Sequence, residues 1–469
     1  MKRFNLLSIV LFAIIWSGCS ISQNLALPGG LAPQMFRNLV PQDSSSIGNL
    51  PLKSFINDPT VQNLIDTALV RNYDMQIALK NIDAAEVLFK QSKLGYLPEL
   101  KLQVTGSSSR PSDNSLNGLS LNQFTGSTHI EDYNANLGVL WEADIWGKIR
   151  NQKAGALASF LQTGEARKAI QTRLVANVAQ GYYNLLMLDA QLDIARKNLM
   201  LNDSTLRIIR LQFDAGQVTS LAIQQAEAQQ LNAAGLIPRL EQNVALQENA
   251  LSVLIGTLPK SIIRLSKLDQ MTIPKDLNAG FPSALLSRRP DIKSAELALD
   301  VANAKVGVAK ANLYPSLVIT ASGGINSFKA SNWFSMPASL FGIVSGGITQ
   351  PIFQRGQLKS SLALAKIDRE KTVIQFRQSV ITAVGEVSDE LTKVEKLKTQ
   401  YSIAEKRAQT LQQASRNASL LFKSGMANYL EVITAQGNLL QSELELTSIK
   451  TEQLNAVVGL YRSLGGGWN

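Results

Sequence analysis

Phe213-Asp214-Ala215-Gly216-Gln217-Val218-Thr219-Ser220-Leu221 returns 209 residues later as Phe422-Lys423-Ser424-Gly425-Met426-Ala427-Asn428-Tyr429-Leu430. In each copy a long run of helical periodicity stops at the glycine and a shorter one starts just beyond it. Glycine leaves the right-handed helical region without steric penalty, so Gly216 and Gly425 predict helix–turn–helix reversals. The long runs cover about 148–213 and 356–423, and the returning ones about 219–256 and 427–463. In the second long run Val373, Val380, Val387, Val394 and Tyr401 recur one heptad apart. Phe376, Ala383, Leu397 and Ala404 follow three residues later, which is coiled-coil spacing. At 1.5 Å per residue such helices are about 100 Å long, far more than one globular core requires.

Upstream of these runs the same repetition continues. Arg71-Asn72-Tyr73-Asp74 and Arg288-Arg289-Pro290-Asp291 open helical patterns 217 residues apart, and the offset carries Ala78 onto Ala295 and Pro98 onto Pro315. These helices, about 60–95 and 290–312, stop before the prolines, which supply no N–H and clash with the preceding turn. Alternating stretches come next: Leu100-Lys101-Leu102-Gln103-Val104 and Asn134 to Trp141 in the first half, Ser316 to Ile325 and Leu340 to Gln350 in the second. Their period-two pattern predicts four strands, about 99–143 and 316–350, with a Ser/Asn/Gly-rich loop inside the first pair. Ile145-Trp146 aligns with Ile352-Phe353 at an offset of 207, which makes the segment from Pro315 to Phe353 ten residues shorter than its counterpart.

Lys2, Arg3 and the apolar run Leu6 to Ile15 read as a signal peptide over residues 1–18, too short to span a bilayer. It ends in Trp16-Ser17-Gly18-Cys19, which resembles a lipobox. Cys19, the one cysteine, is then the acylated N-terminus, carrying N-acyl and S-diacylglycerol lipid, and no internal disulfide is available. The formal charge is +10, but Lys and Arg are scattered singly along helices, without the basic run or aromatic platform of a nucleic-acid binder. No further apolar stretch reaches the length of a transmembrane helix, so a membrane crossing must use strands or the lipid.

Four amphipathic strands cannot close a membrane barrel alone, because every edge must be paired. Three chains contributing four each would give twelve. At this point the chain resembles the TolC-like outer-membrane efflux proteins, in the lipoprotein branch that serves resistance-nodulation-division pumps. The motifs are Arg288-Arg289-Pro290-Asp291-Ile292 with Ala295-Glu296, Gly307, Tyr314-Pro315, Phe213 with Gly216, Gln225-Ala226-Glu227, Asn249-Ala250-Leu251 with Leu254 and Gly256, and Leu464-Gly465-Gly466-Gly467-Trp468. The resemblance implies a mainly α fold with a membrane β-barrel portion, a long helical tunnel and an internal two-fold repeat. It implies a homotrimer with a twelve-stranded barrel, placed in the outer membrane with its helical part in the periplasm. Its partners are then a periplasmic adaptor and an inner-membrane pump, passing small molecules outward. The organisation becomes an acylated segment 19–57, a first repeat 58–256, an equatorial connection 257–282, a second repeat 283–463 and a tail 464–469.

The resemblance also places sites. The turns at Asp214–Ser220 and Lys423–Tyr429 become the tunnel entrance, with Gly216, Gln217, Gly425, Met426 and Asn428 as adaptor-contact tips; as bare structure, the glycines cap helices. Glu431, on the first turns of the returning helix, becomes a ring of three carboxylates that attracts cations, or else an ordinary solvated glutamate. Thr434 stands where some relatives carry a second acid and Ala427 where some carry a base, so this entrance lock is thinner. Arg288, Arg289 and Asp291 read mainly as architecture, with Pro290 in the first turn and Asp291 at its positive end. Trp141, Trp146 and Phe353 suit either an interfacial aromatic belt or junction packing.

With one histidine and one acylated cysteine, neither a nucleophile–base pair nor a His-rich metal set is available, so no catalytic residue, metal site or cofactor is expected. Eight scattered methionines suggest no soft-metal path. A lipid-anchored hydrolase, a coiled-coil scaffold without a lumen and a type I secretion duct are the competing readings; the paired strands speak against the scaffold and the lipobox against the secretion duct.

Overall fold

In a computed structural model the chain is described over residues 46–274, 279–280 and 282–468, so the predicted signal peptide and Cys19 lie outside the described residues. Two compact units result: one holds 83–161 and 297–374, the other the described part of 28–82 with 162–296 and 375–469. The first half comprises α1 (Pro59–Arg71), α2 (Tyr73–Leu94), β1 (Glu99–Ser109), α3 (Leu116–Thr125), β2 (Ile130–Ala143), α4 (Lys148–Asp214) and α5 (Ser220–Leu254). The second comprises α6 (Pro290–Ala311), β3 (Ser316–Ser327), β4 (Leu340–Thr349), α7 (Gln357–Lys423) and α8 (Tyr429–Ser463). Three helices of each half have equal lengths, 22 residues for α2 and α6, 67 for α4 and α7, 35 for α5 and α8, whereas the 13 residues of α1 face only the four-residue helix Leu285–Arg288 before α6.

Three pairs of glycines fix this equivalence. Gly147, Gly216 and Gly256 have φ of 74°, 71° and 72°, and 209 residues later Gly356, Gly425 and Gly465 have 78°, 76° and 85°. The 209 offset thus already holds before the long helices begin. Phe353 is accordingly not the environment-matched partner of Trp146: Trp146 stacks on Tyr314 at 4.8 Å and donates its indole N–H to the Pro315 carbonyl at 2.7 Å, whereas Phe353 is 83% exposed.

Two further expectations are corrected. The predicted helix 60–95 is two helices, because Asn72 is extended, with ψ of 131°. Its side chain accepts from the Met75 N–H at 3.1 Å, capping α2. The loop expected between the first two strands contains α3, started by Ser115, whose hydroxyl accepts from the Gly118 N–H at 3.1 Å. A side chain that meets a free first-turn N–H offsets the weak helix preference of the glycine, serine and asparagine that follow.

In the second unit, Ile65, Ala68, Val178, Ala179, Tyr182, Leu186 and Val458 are buried together, joining α1, α4 and α8. The connection after α5 is pinned there by Arg264, which forms a bidentate pair with Asp189 at 2.7 and 2.8 Å and also bonds Glu248. The carboxylates raise the guanidinium pKa further, so this clamp stays charged.

The break residues of the two halves do equivalent work with different groups. Asn72 donates to the Leu254 carbonyl at 2.9 Å, at the end of α5. Arg289, also buried, donates to the Ser463 carbonyl at 3.1 Å, at the end of α8. The guanidinium additionally binds Asp291 at 2.6 and 3.0 Å and Glu386 at 2.8 Å. Beside each of these contacts the helix-ending glycine lies against a carbonyl. A Cβ on Gly256 would sit 2.2 Å from the Arg71 oxygen, and one on Gly465 2.9 Å from the Arg288 oxygen.

Candidate functional site

In the first unit the four strands form one antiparallel sheet in the order β1-β2-β3-β4. The register alternates its two faces. Leu100, Leu102 and Val104 lie beside Val139, Leu137 and Ala135, these beside Ala321, Gly323 and Ile325, and these beside Val344, Gly342 and Leu340. The opposite face carries Lys101, Gln103 and Thr105, then Asn134 and Asn136, then Thr320 and Ser322, then Ser345 and Thr349, with Leu140, Val318, Phe341 and Ile343 as apolar exceptions. Its polar groups bond one another: Asn136 donates to Asn134 at 2.6 Å, and the Thr320 and Ser345 hydroxyls are 2.7 Å apart.

Aromatic residues mark both ends of the apolar face. Trp141 donates to the Tyr96 carbonyl at 3.0 Å at one end, and Tyr133 lies 5.7 Å from Trp333 at the other. Eight residue steps from Tyr133 to Trp141 span about 27 Å along the strand, a length suited to a tilted membrane strand. Trp141 thus lies on the apolar face of the sheet, and Trp146 packs in the strand–helix junction. Among the described residues no helix is long and apolar enough to cross a membrane. The sheet keeps two open edges, β1 and β4, whose backbone groups need partners in lipid.

The second unit carries the predicted tips. Both turns close in the same way: Gly216 N–H donates to Phe213 at 2.8 Å and Gln217 N–H to Gln212 at 2.8 Å, while Gly425 donates to Phe422 at 3.1 Å and Met426 to Leu421 at 2.9 Å. This double bond pattern satisfies the last helical carbonyls and demands positive φ at the glycine. Nothing lies within 4 Å of a Cβ built on either glycine, so conformation alone selects them. Gln217, Met426 and Asn428 are exposed, as are Glu431 and Thr434 one turn apart on α8. Leu206, Ile209, Ala222, Ala226, Phe422 and Val432 bury one another behind the turns. Tyr429 donates to Gln225 at 2.7 Å, and Arg210 pairs with Glu227 at 2.6 Å.

The sequence reading missed what Asn428 does. Its side-chain oxygen accepts from the Glu431 N–H at 3.1 Å, and its amide lies 3.4 Å from the Glu431 carboxylate. The signal was present as an Asn followed three residues later by Glu, a helix-start signature. Glu431 thus has a structural task beside any role in permeation.

A family model described as outer membrane efflux protein matches residues 64–257 and 281–466. The chain belongs to that family. This efflux protein is 31% identical to the probable efflux pump outer membrane protein TtgC of Pseudomonas putida, over 99% of this chain and 96% of the relative. It is 28% identical to the cation efflux system protein CusC of Escherichia coli strain K12, over 97% of this chain and 98% of the relative. Among solved structures, the open-state MtrE outer membrane channel of Neisseria gonorrhoeae superposes with a TM-score of 0.85 at 26% identity, covering 96% of this chain and 99% of that one. The efflux protein is an outer-membrane channel of the TolC-like kind, and its sheet and helical hairpins are the parts that such a duct requires.

Proposed function

We propose that three copies of this efflux protein form a duct, joined to a periplasmic adaptor and an inner-membrane resistance-nodulation-division pump, that passes small molecules out of the cell. The observation that carries this reading is the four-stranded sheet with two faces and two open edges. β1 and β4 run in opposite directions, so β4 of one copy pairs antiparallel with β1 of the next, and three copies close at twelve strands. The apolar face then meets lipid and the amide- and hydroxyl-rich face lines the lumen. Among the neutral amides and hydroxyls this wall also carries Glu99, Lys101, Asp132 and Glu142. No covalent bond is made or broken. The purified protein should give defined conductance steps in planar bilayers and a native mass of three chains; a monomer without conductance refutes the duct.

Cys19 is the lipid-bearing residue in this proposal, and Cys19→Ala should abolish incorporation of a labelled fatty acid. The tips at Gly216, Gln217, Gly425, Met426 and Asn428 meet the adaptor. Glu431 and Thr434 face the entrance, where three Glu431 carboxylates favour cations. Glu431→Gln keeps a side chain able to cap the helix while removing the charge. It should lower cation preference and leave assembly intact; an unchanged ion preference removes Glu431 from the gate.

A further inference from the structure

The two hairpin loops, one joining β1 to β2 and the other β3 to β4, carry large apolar side chains that the chain leaves bare. On α3, Leu116 and Phe124 are each 84% exposed and Leu119 is 60% exposed. These three fall within about 140° of one another around the helix, at the helical 3.6 residues per turn. In the β3–β4 loop, Phe328 is 61%, Phe334 71% and Met336 61% exposed. Apolar residues scattered singly on a surface need no partner, but six of them in two short loops form patches that do.

The topology says which surface covers them. The first loop leaves the far end of β1 and the second enters the far end of β4, and β1 and β4 are the two edges of the sheet. Within one chain β2 and β3 separate the two edges. Across a seam in which β4 of one copy pairs with β1 of the next, the ends Ser109 and Leu340 become neighbours. The loops also lie past the aromatic pair Tyr133 and Trp333 that ends the lipid-facing stretch. Arg110 and Asp113, both exposed, flank the start of α3, so water rather than lipid surrounds this region.

We propose that α3 of each copy packs against the Phe328–Met336 loop of its neighbour, an apolar latch at the outer end of every seam. The latch rests on the three-copy closure, and the two are separable by experiment. Phe124→Cys and Phe334→Cys are introduced together into the full-length chain and treated with a flexible bismaleimide, beside each single variant. A second double variant, Ser109→Cys with Leu340→Cys, reports the strand seam itself. Species of two and three linked chains from the loop pair, absent from the single variants, are the expected result. Linking by the strand pair but not by the loop pair overturns the latch and leaves the barrel standing. Linking by neither pair overturns both.

Discussion

The two halves of the chain solve one problem with different chemistry. At the start of α2 an uncharged Asn72 ties the break between helices to the end of α5; at the start of α6 the buried Arg289 ties it to the end of α8 and holds two carboxylates as well. The amide is satisfied by neutral backbone groups, the Met75 N–H and the Leu254 carbonyl. The guanidinium, once buried, requires compensation, and Asp291 and Glu386 supply it. Equal geometry reached by unequal means implies that the junctions share a shape but not a sensitivity.

The largest difference should follow from removing the group at the centre of each. Arg289→Met leaves the Ser463 carbonyl and two carboxylates without their donor and should cost about 3 kcal/mol. That is the lower end for a broken buried pair, because Asp291 and Glu386 still reach solvent. Thermal dissociation of the assembly measures it, and a shift no larger than that of Asn72→Ala would break the comparison. Next come the glycines. Gly256→Ala combines positive φ with a collision against the Arg71 carbonyl and should cost about 2–3 kcal/mol, Gly465→Ala somewhat less, and Gly216→Ala about 1 kcal/mol, since only φ opposes it. Equal losses at all three would show that the contact with the carbonyl is unimportant. Asn72→Ala removes a cap and one buried hydrogen bond and should cost about 1–2 kcal/mol.

The smallest effect is a pH dependence confined to the second half. Burial pushes the Asp291 carboxyl up, but its bonds to Arg289 outweigh this and hold it below the usual carboxylate range. Arg289, which burial would pull down, is raised by the same partners and stays charged. A carboxyl held down on folding adds stability above its unfolded value, near about pH 4, and loses it as pH falls through the folded one. Protection of the amides at the start of α6, measured against their intrinsic exchange rates, should therefore fall below about pH 4, while that at the start of α2 does not; a parallel fall in both would dissolve the distinction.

Most of the helical plan was legible because it rests on features that repeat. Gly216 and Gly425, the heptads from Val373 to Tyr401, and the prolines at 98 and 315 each impose a local rule with one outcome. The strand pattern was legible for the same reason, a period of two with one apolar face. The break at Asn72 was absorbed into a longer helix because α1 and α2 are both apolar-periodic and one polar residue interrupts neither pattern; the extended backbone is fixed by contacts to Leu254 and Met75. Helix α3 was read as loop since its composition favours turns, and a single hydroxyl at Ser115 tips the balance. At the entrance, the positions of the turns were visible, but the cap between Asn428 and Glu431 was overlooked, and the contacts of Tyr429 and Arg210 join residues too far apart in sequence for any local pattern to reveal.

The matched helix lengths of the two halves have a consequence for how such a protein can change. A heptad deleted from α4 leaves α5 returning to the wrong level unless it is shortened too, and the same cut must then be made in α7 and α8 if the tips are to stay side by side. Four coordinated deletions are improbable, so the helices act as a ruler inherited whole. Variation in length is left to the hairpin loops, 20 residues between β1 and β2 against 12 between β3 and β4, and it is there that lineages of this family are free to diverge.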